Sequence, residues 1–76
     1  MLLSEMKIGS YAKIVTIKGE GFLKMRLLEM GLIPNVVIKL QKKAPLGDPI
    51  EILVRSYVLT LRKNDLDLIE VIGIVK

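Results

Sequence analysis

A chain of 76 residues with neither cysteine nor histidine excludes a disulfide framework, thiolate or imidazole metal ligation, and the commonest catalytic base. With 51% hydrophobic residues, apolar burial must supply the stability, and a domain this small has little volume left over for an enclosed substrate cavity. The formal net charge of +4 suits an acidic protein, a nucleic acid or an anionic surface, and is equally an ordinary solubility device.

Residues 1–7 lack the basic stretch and long apolar run of a secretory leader, and no apolar run approaches the roughly 18 residues of a membrane span. A cytoplasmic location and a single domain over residues 1–76 are expected. Ser4 is placed to cap one turn over Glu5, Met6 and Lys7 before Gly9 and Ser10 break it. Residues 11–17 are rich in β-branched and aromatic side chains and predict a first strand. The glycines of Lys18-Gly19-Glu20-Gly21 make a turn.

Residues 22–30 predict a helix, with Leu23, Leu27 and Met30 at i, i+4 and i+7 on the face turned to the core. Gly31 stands where a left-handed residue ends a helix, Leu32 can fold back as its apolar contact, and Pro34 prevents resumption. Residues 36–43 alternate, with Val36, Ile38 and Leu40 on the inner side. Residues 44–49 form a loop fixed by Pro45, Gly47 and Pro49. Two more strands follow at 50–55, with Ile52 and Val54 inward, and at 57–62, with Tyr57, Leu59 and Leu61 sharing the inward face. Residues 63–67 are a turn or short 3₁₀ segment, and 68–74 a last strand with Ile69 and Val71 inward. The fold expected is mainly β: a small five-stranded SH3-like barrel with one short helix between the first and second strands. An OB-fold barrel is the rival.

Chemistry-bearing patterns are sparse. Asp48, Glu51, Asp65, Asp67 and Glu70 offer only oxygen ligands, which suit hard ions better than a tight ferrous site; no metal site and no cofactor is expected. Lys39, Lys42, Lys43, Arg55, Arg62 and Lys63 would make an electrostatic footprint for nucleic acid if they shared one side. With only 4% aromatic residues, stacking platforms for bases and an aromatic groove for proline-rich peptides are both poorly supplied. The apolar excess is more informative. Val37, Leu53, Val58, Leu68 and Ile72 alternate away from the core, and on the helix so do Met25 and Leu28. Exposed apolar patches mark interaction sites. A partner surface is therefore expected at Lys24, Met25, Arg26 and Leu28 of the helix, and at Pro45, Leu46, Asp48 and Pro49 of the rigid loop.

Two segments carry a family resemblance. One is Arg26-Leu27-Leu28-Glu29-Met30-Gly31-Leu32-Ile33-Pro34. The other is Ala44-Pro45-Leu46-Gly47-Asp48-Pro49-Ile50-Glu51-Ile52, followed by Leu59-Thr60-Leu61-Arg62-Lys63. In this order and spacing they resemble the FeoA family (ferrous iron transport protein A) over nearly the whole chain. Asn35 and Ser56 depart from the pattern, at positions where the family commonly has glycine. Asn tolerates left-handed backbone; Ser56 leaves the turn before the fourth strand open. The resemblance implies a non-enzymatic, cytosolic accessory protein of ferrous iron uptake. It would bind and modulate the membrane ferrous transporter FeoB and touch the membrane only through it. The alternatives are a small basic barrel for nucleic acid and a plain homo-oligomerisation module.

Overall fold

Alternating apolar side chains give a sheet one dry face, and a single sheet can hide that face only by curling over it. The computed structural model, which describes residues 1–75, does this with five strands: β1 (Tyr11–Ile17), β2 (Val37–Lys43), β3 (Ile50–Val54), β4 (Tyr57–Leu61) and β5 (Ile69–Ile74). All neighbours are antiparallel, in the order β4-β3-β2-β1-β5. The five predicted strands are all present, each within one residue of its expected start.

Two bulges supply the curl. The register shifts between Ile14 and Thr16 on β1 and between Leu40 and Lys42 on β2. An extra residue bends a strand and tightens its twist. The first shift also explains why Ile14 and Ile17, an odd spacing apart, are both buried while Val15 and Thr16 are exposed. Inside the curl lie Ala12, Ile14, Ile38, Leu40, Ile52, Val54, Leu61, Ile69 and Val71, and no polar side chain among the described residues is buried with them.

Helix α1 (Phe22–Glu29) connects β1 to β2, and its buried stripe differs from the one expected. Leu27 is buried, Leu28 and Met30 are half-buried against the core, and Leu23 lies at the exposed margin. Residues 24, 27, 28 and 31 make the inward row, an i, i+3, i+4, i+7 stripe. Half-buried Lys24 stands at its head, where a lysine stem can cover apolar surface with its charge in water. The helix ends as expected. Gly31 has φ +99, its N–H donates to Leu28 O at 3.0 Å, and the Leu32 N–H donates to Leu27 O at 3.2 Å. That pair of bonds and the fully buried Leu32 make a Schellman motif.

Tyr57 is the correction with most consequence. Expected inside, it is 41% exposed, and its hydroxyl donates to Met30 O at 2.6 Å. It latches the helix end onto the start of β4. A Cβ on Gly31 would collide with that hydroxyl. Glycine is needed there twice over, for its backbone angle and for this approach.

The remaining corrections are local. The first turn is 3₁₀ at Leu3–Glu5, earlier than the one assigned to Ser4; the Leu2 N–H donates to Glu5 Oε1 at 2.6 Å, and Leu3 is fully buried. Residues 63–67 contain one α turn, α2 (Lys63–Leu66), with Leu66 fully buried. Asn35 takes the left-handed backbone expected of it, φ 76. At the β3–β4 turn the positive φ falls on Arg55 (φ 54), not on Ser56.

The loop at 44–49 is closed by Ala44 N–H donating to Pro49 O at 3.0 Å and Gly47 N–H to Ala44 O at 2.8 Å. The Asp48–Pro49 peptide is cis. Asp48 Oδ1 accepts the Lys63 N–H at 2.8 Å, which satisfies a first-turn donor of α2 from another part of the chain.

Two stability measurements check these contacts. Gly31→Ala should cost about 2–3 kcal/mol in chemical denaturation, from strained backbone plus the collision with Tyr57. In a Tyr57→Phe background the same change should cost less, a negative coupling that simple additivity would not give. Asp48→Ala should cost about 1 kcal/mol, the usual loss of a cap, while Leu46→Ser, at a side chain 96% exposed, should change stability by less than about 0.5 kcal/mol.

Candidate partner-binding site

The latch between Tyr57 and Met30 holds α1 across the open side of the sheet, and a groove of about 490 Å³ runs between them. The helix supplies Leu23, Arg26, Leu27 and Met30 as one wall. Thr60, Leu61 and Arg62 form the other, with Pro49 and Asp65 at the end. Leu23, Leu27, Met30, Pro49 and Leu61 give the groove its apolar lining, and Thr60, two arginines and one carboxylate its polar lining. Asp65 Oδ2 accepts the Arg62 N–H at 3.2 Å, which holds that carboxylate beside the start of α2.

Of the residues expected to bind a partner, Arg26 and Pro49 line this groove, so it joins the two predicted segments. Met25 stands outside it, 59% exposed on the helix's outer side, and Leu46 projects fully from the loop tip. Pro45 is exposed, Lys24 and Leu28 are half-buried, and Asp48 is engaged with α2. Sequence reasoning missed Phe22, which is 79% exposed and sits one turn before Met25. An aromatic at the first position of a helix, outside the i, i+3, i+4 stripe, was the available signal. It also missed Thr60 and Arg62, which reach the groove because β4 lies at the edge of the sheet.

The basic residues do not share one side. Lys39 and Arg55 lie on the outer face, where the Lys39 ammonium stands 5.4 Å from the centroid of the Tyr11 ring. Lys43 and Lys63, with Lys7, rim a hollow of about 300 Å³ near the N-terminal turn, and Arg62 belongs to the groove. Val37, Val58 and Ile72 are exposed on the outer face as expected, while Leu53 and Leu68 are half-covered. Among the described residues no three carboxylates gather, and no helix is long and apolar enough to cross a membrane.

Comparison with known proteins places this geometry in a family. The chain is 39% identical over 71 residues to an Fe(2+) transport protein A/Fe(2+) transporter FeoB fusion protein of Porphyromonas gingivalis; the match covers 93% of this chain and 8% of that much longer protein. The solution structure of the FeoA protein of Chlorobium tepidum superposes with a TM-score of 0.91 at 36% identity, over 99% of this chain and 71% of that one. A Stenotrophomonas maltophilia FeoA, described as a prokaryotic SH3 domain protein, superposes at 0.83 with 22% identity, over 95% and 89% of the two chains. That likeness fixes the SH3-like fold over the OB-fold alternative. The FeoA domain model matches residues 1–72, and the chain belongs to the FeoA family.

Proposed function

We propose that this protein is an accessory domain of ferrous iron uptake that works by binding the cytosolic part of a FeoB-type transporter, without catalysis of its own. The observation that carries the reading is the relative in which an Fe(2+) transport protein A sequence and FeoB share one chain. Covalent linkage of two modules raises their effective concentration, which benefits partners that touch.

The surface supports a protein partner. Phe22 and Met25 stand 79% and 59% exposed on one side of α1, next to a groove rimmed by Arg26 and Arg62. Aromatic, methionine and arginine side chains are the types enriched in interface cores. Neither Phe22 nor Met25 belongs to the core cluster, so both can change without loss of fold.

The test is titration of the purified protein with the soluble cytosolic domain of a FeoB-type transporter by calorimetry. Phe22→Ser and Met25→Ser should each weaken binding by about tenfold or more, as removal of an interface anchor does, and should move the melting temperature little. Absence of binding by the wild-type protein at high micromolar concentration would defeat the reading.

A further inference from the structure

The two edges of the sheet are treated differently. At β5 the chain's own N-terminus covers the edge: Val71 N–H donates to Met1 O at 2.8 Å, the Met1 amino group donates back to Val71 O at 3.2 Å, and Leu2 bridges to Glu70. At β4 nothing pairs beyond β3 among the described residues. The two-residue turn makes Val54 and Tyr57 a hydrogen-bonded pair, so Leu59 and Leu61 also face β3. The N–H and C=O groups of Val58 and Thr60 therefore point away from the sheet.

Natural edges are guarded by charge, proline, a bulge or a cover. Tyr57-Val58-Leu59-Thr60-Leu61 has no charged residue and no proline, and its register with β3 runs without a shift. The groove beside it is lined by Thr60 and Leu61 on one wall and by α1 on the other.

We infer that the β4 edge accepts an extended peptide segment as a sixth strand, lying in the groove under α1, with acidic side chains against Arg26 and Arg62. Backbone bonds to Val58 and Thr60 supply affinity, and the groove walls select side chains. A second copy of this chain is disfavoured as occupant, because pairing β4 with β4 would bring together two sets of Arg26 and Arg62 on molecules that each carry a net charge of +4. In deepening the proposed function, the inference rests on that reading only where the segment belongs to the transporter.

The experiment is residue-resolved amide hydrogen exchange with two probes, a synthetic peptide of alternating valine and glutamate and the transporter's cytosolic domain. In the free protein the Val58 and Thr60 amides should exchange rapidly while Leu59 and Leu61 are protected; a bound strand should slow the first pair. Thr60→Pro removes an outward N–H and no ladder bond, so it should keep the fold and lower peptide affinity about tenfold. Arg26→Glu should weaken the same peptide and leave the free protein's exchange pattern unchanged. Transporter binding with Val58 and Thr60 still fast overturns the added strand and leaves the proposed function standing. Peptide-induced protection with no transporter binding does the reverse. Protection that rises with protein concentration alone assigns the edge to a second copy and overturns the acidic occupant. No slowing with either probe at millimolar concentration overturns the inference altogether.

Discussion

One sheet must enclose the entire core, and the shape of the molecule follows from that requirement. Every buried side chain among the described residues is apolar, so stability is carried by exclusion of water and not by polar networks. A flat sheet of five short strands would leave its dry face half-covered. The bulges in β1 and β2 fold it over, and the helical segments close what the strands leave open. Leu27 closes it from α1, Leu32 from the turn that ends α1, Leu66 from α2, and Leu3 from the N-terminal turn; all four are essentially inaccessible. The only ion pair among the described residues, Lys18–Glu70 at 3.3 Å, lies on the surface, where such pairs contribute little.

Enclosure by a single sheet also leaves two edges, and the functional surface grows from how each is handled. A helix anchored at its C-terminal end by Leu27 and the Tyr57 latch, beside an unguarded strand, makes a groove. A helix packed flush would not. The Tyr57 latch thus does two jobs that pull in different directions. It fixes the C-terminal end of α1 against the sheet, and it leaves the N-terminal end, with Phe22 and Met25, standing out in solvent. Several of the apolar side chains that the core cannot accommodate fall at that outer end of α1 and on the outer face of the sheet, and Leu46 stands out at the loop tip.

The strands were legible because alternation is a local property. Val36, Ile38, Leu40, Ile52, Val54, Ile69 and Val71 all lie inside as their spacing requires. The helix stop was legible for the same reason, since Gly31, Leu32 and Pro34 act within one turn. The rotation of the helix was not. Hydrophobicity favours Leu23 over Lys24 for the inner row, and the structure uses the lysine position, which only the neighbouring surface decides. Leu3 escaped notice because three residues of 3₁₀ turn carry no period. Asp48 looked like a surface ligand because its partner, the Lys63 amide, is fifteen residues away. Of the groove, Arg26 and Pro49 could be named from sequence, whereas Thr60 and Arg62 acquired meaning only once β4 was seen at the end of the strand order.

The hydrogen bonds at Met1 bear on how this domain can be attached to anything else. Met1 is woven into the sheet by bonds in both directions with Val71, whereas Val75, just after the last strand, is fully exposed. A linker leaving from the Val75 side disturbs no packed surface. One arriving at Met1 must turn out of a paired strand edge beside Val71 at its first step. Affinity tags, fluorophores and surface tethers therefore belong after the last strand. Tethered beyond the last strand, an immobilised molecule keeps the β5 edge sealed by its own chain.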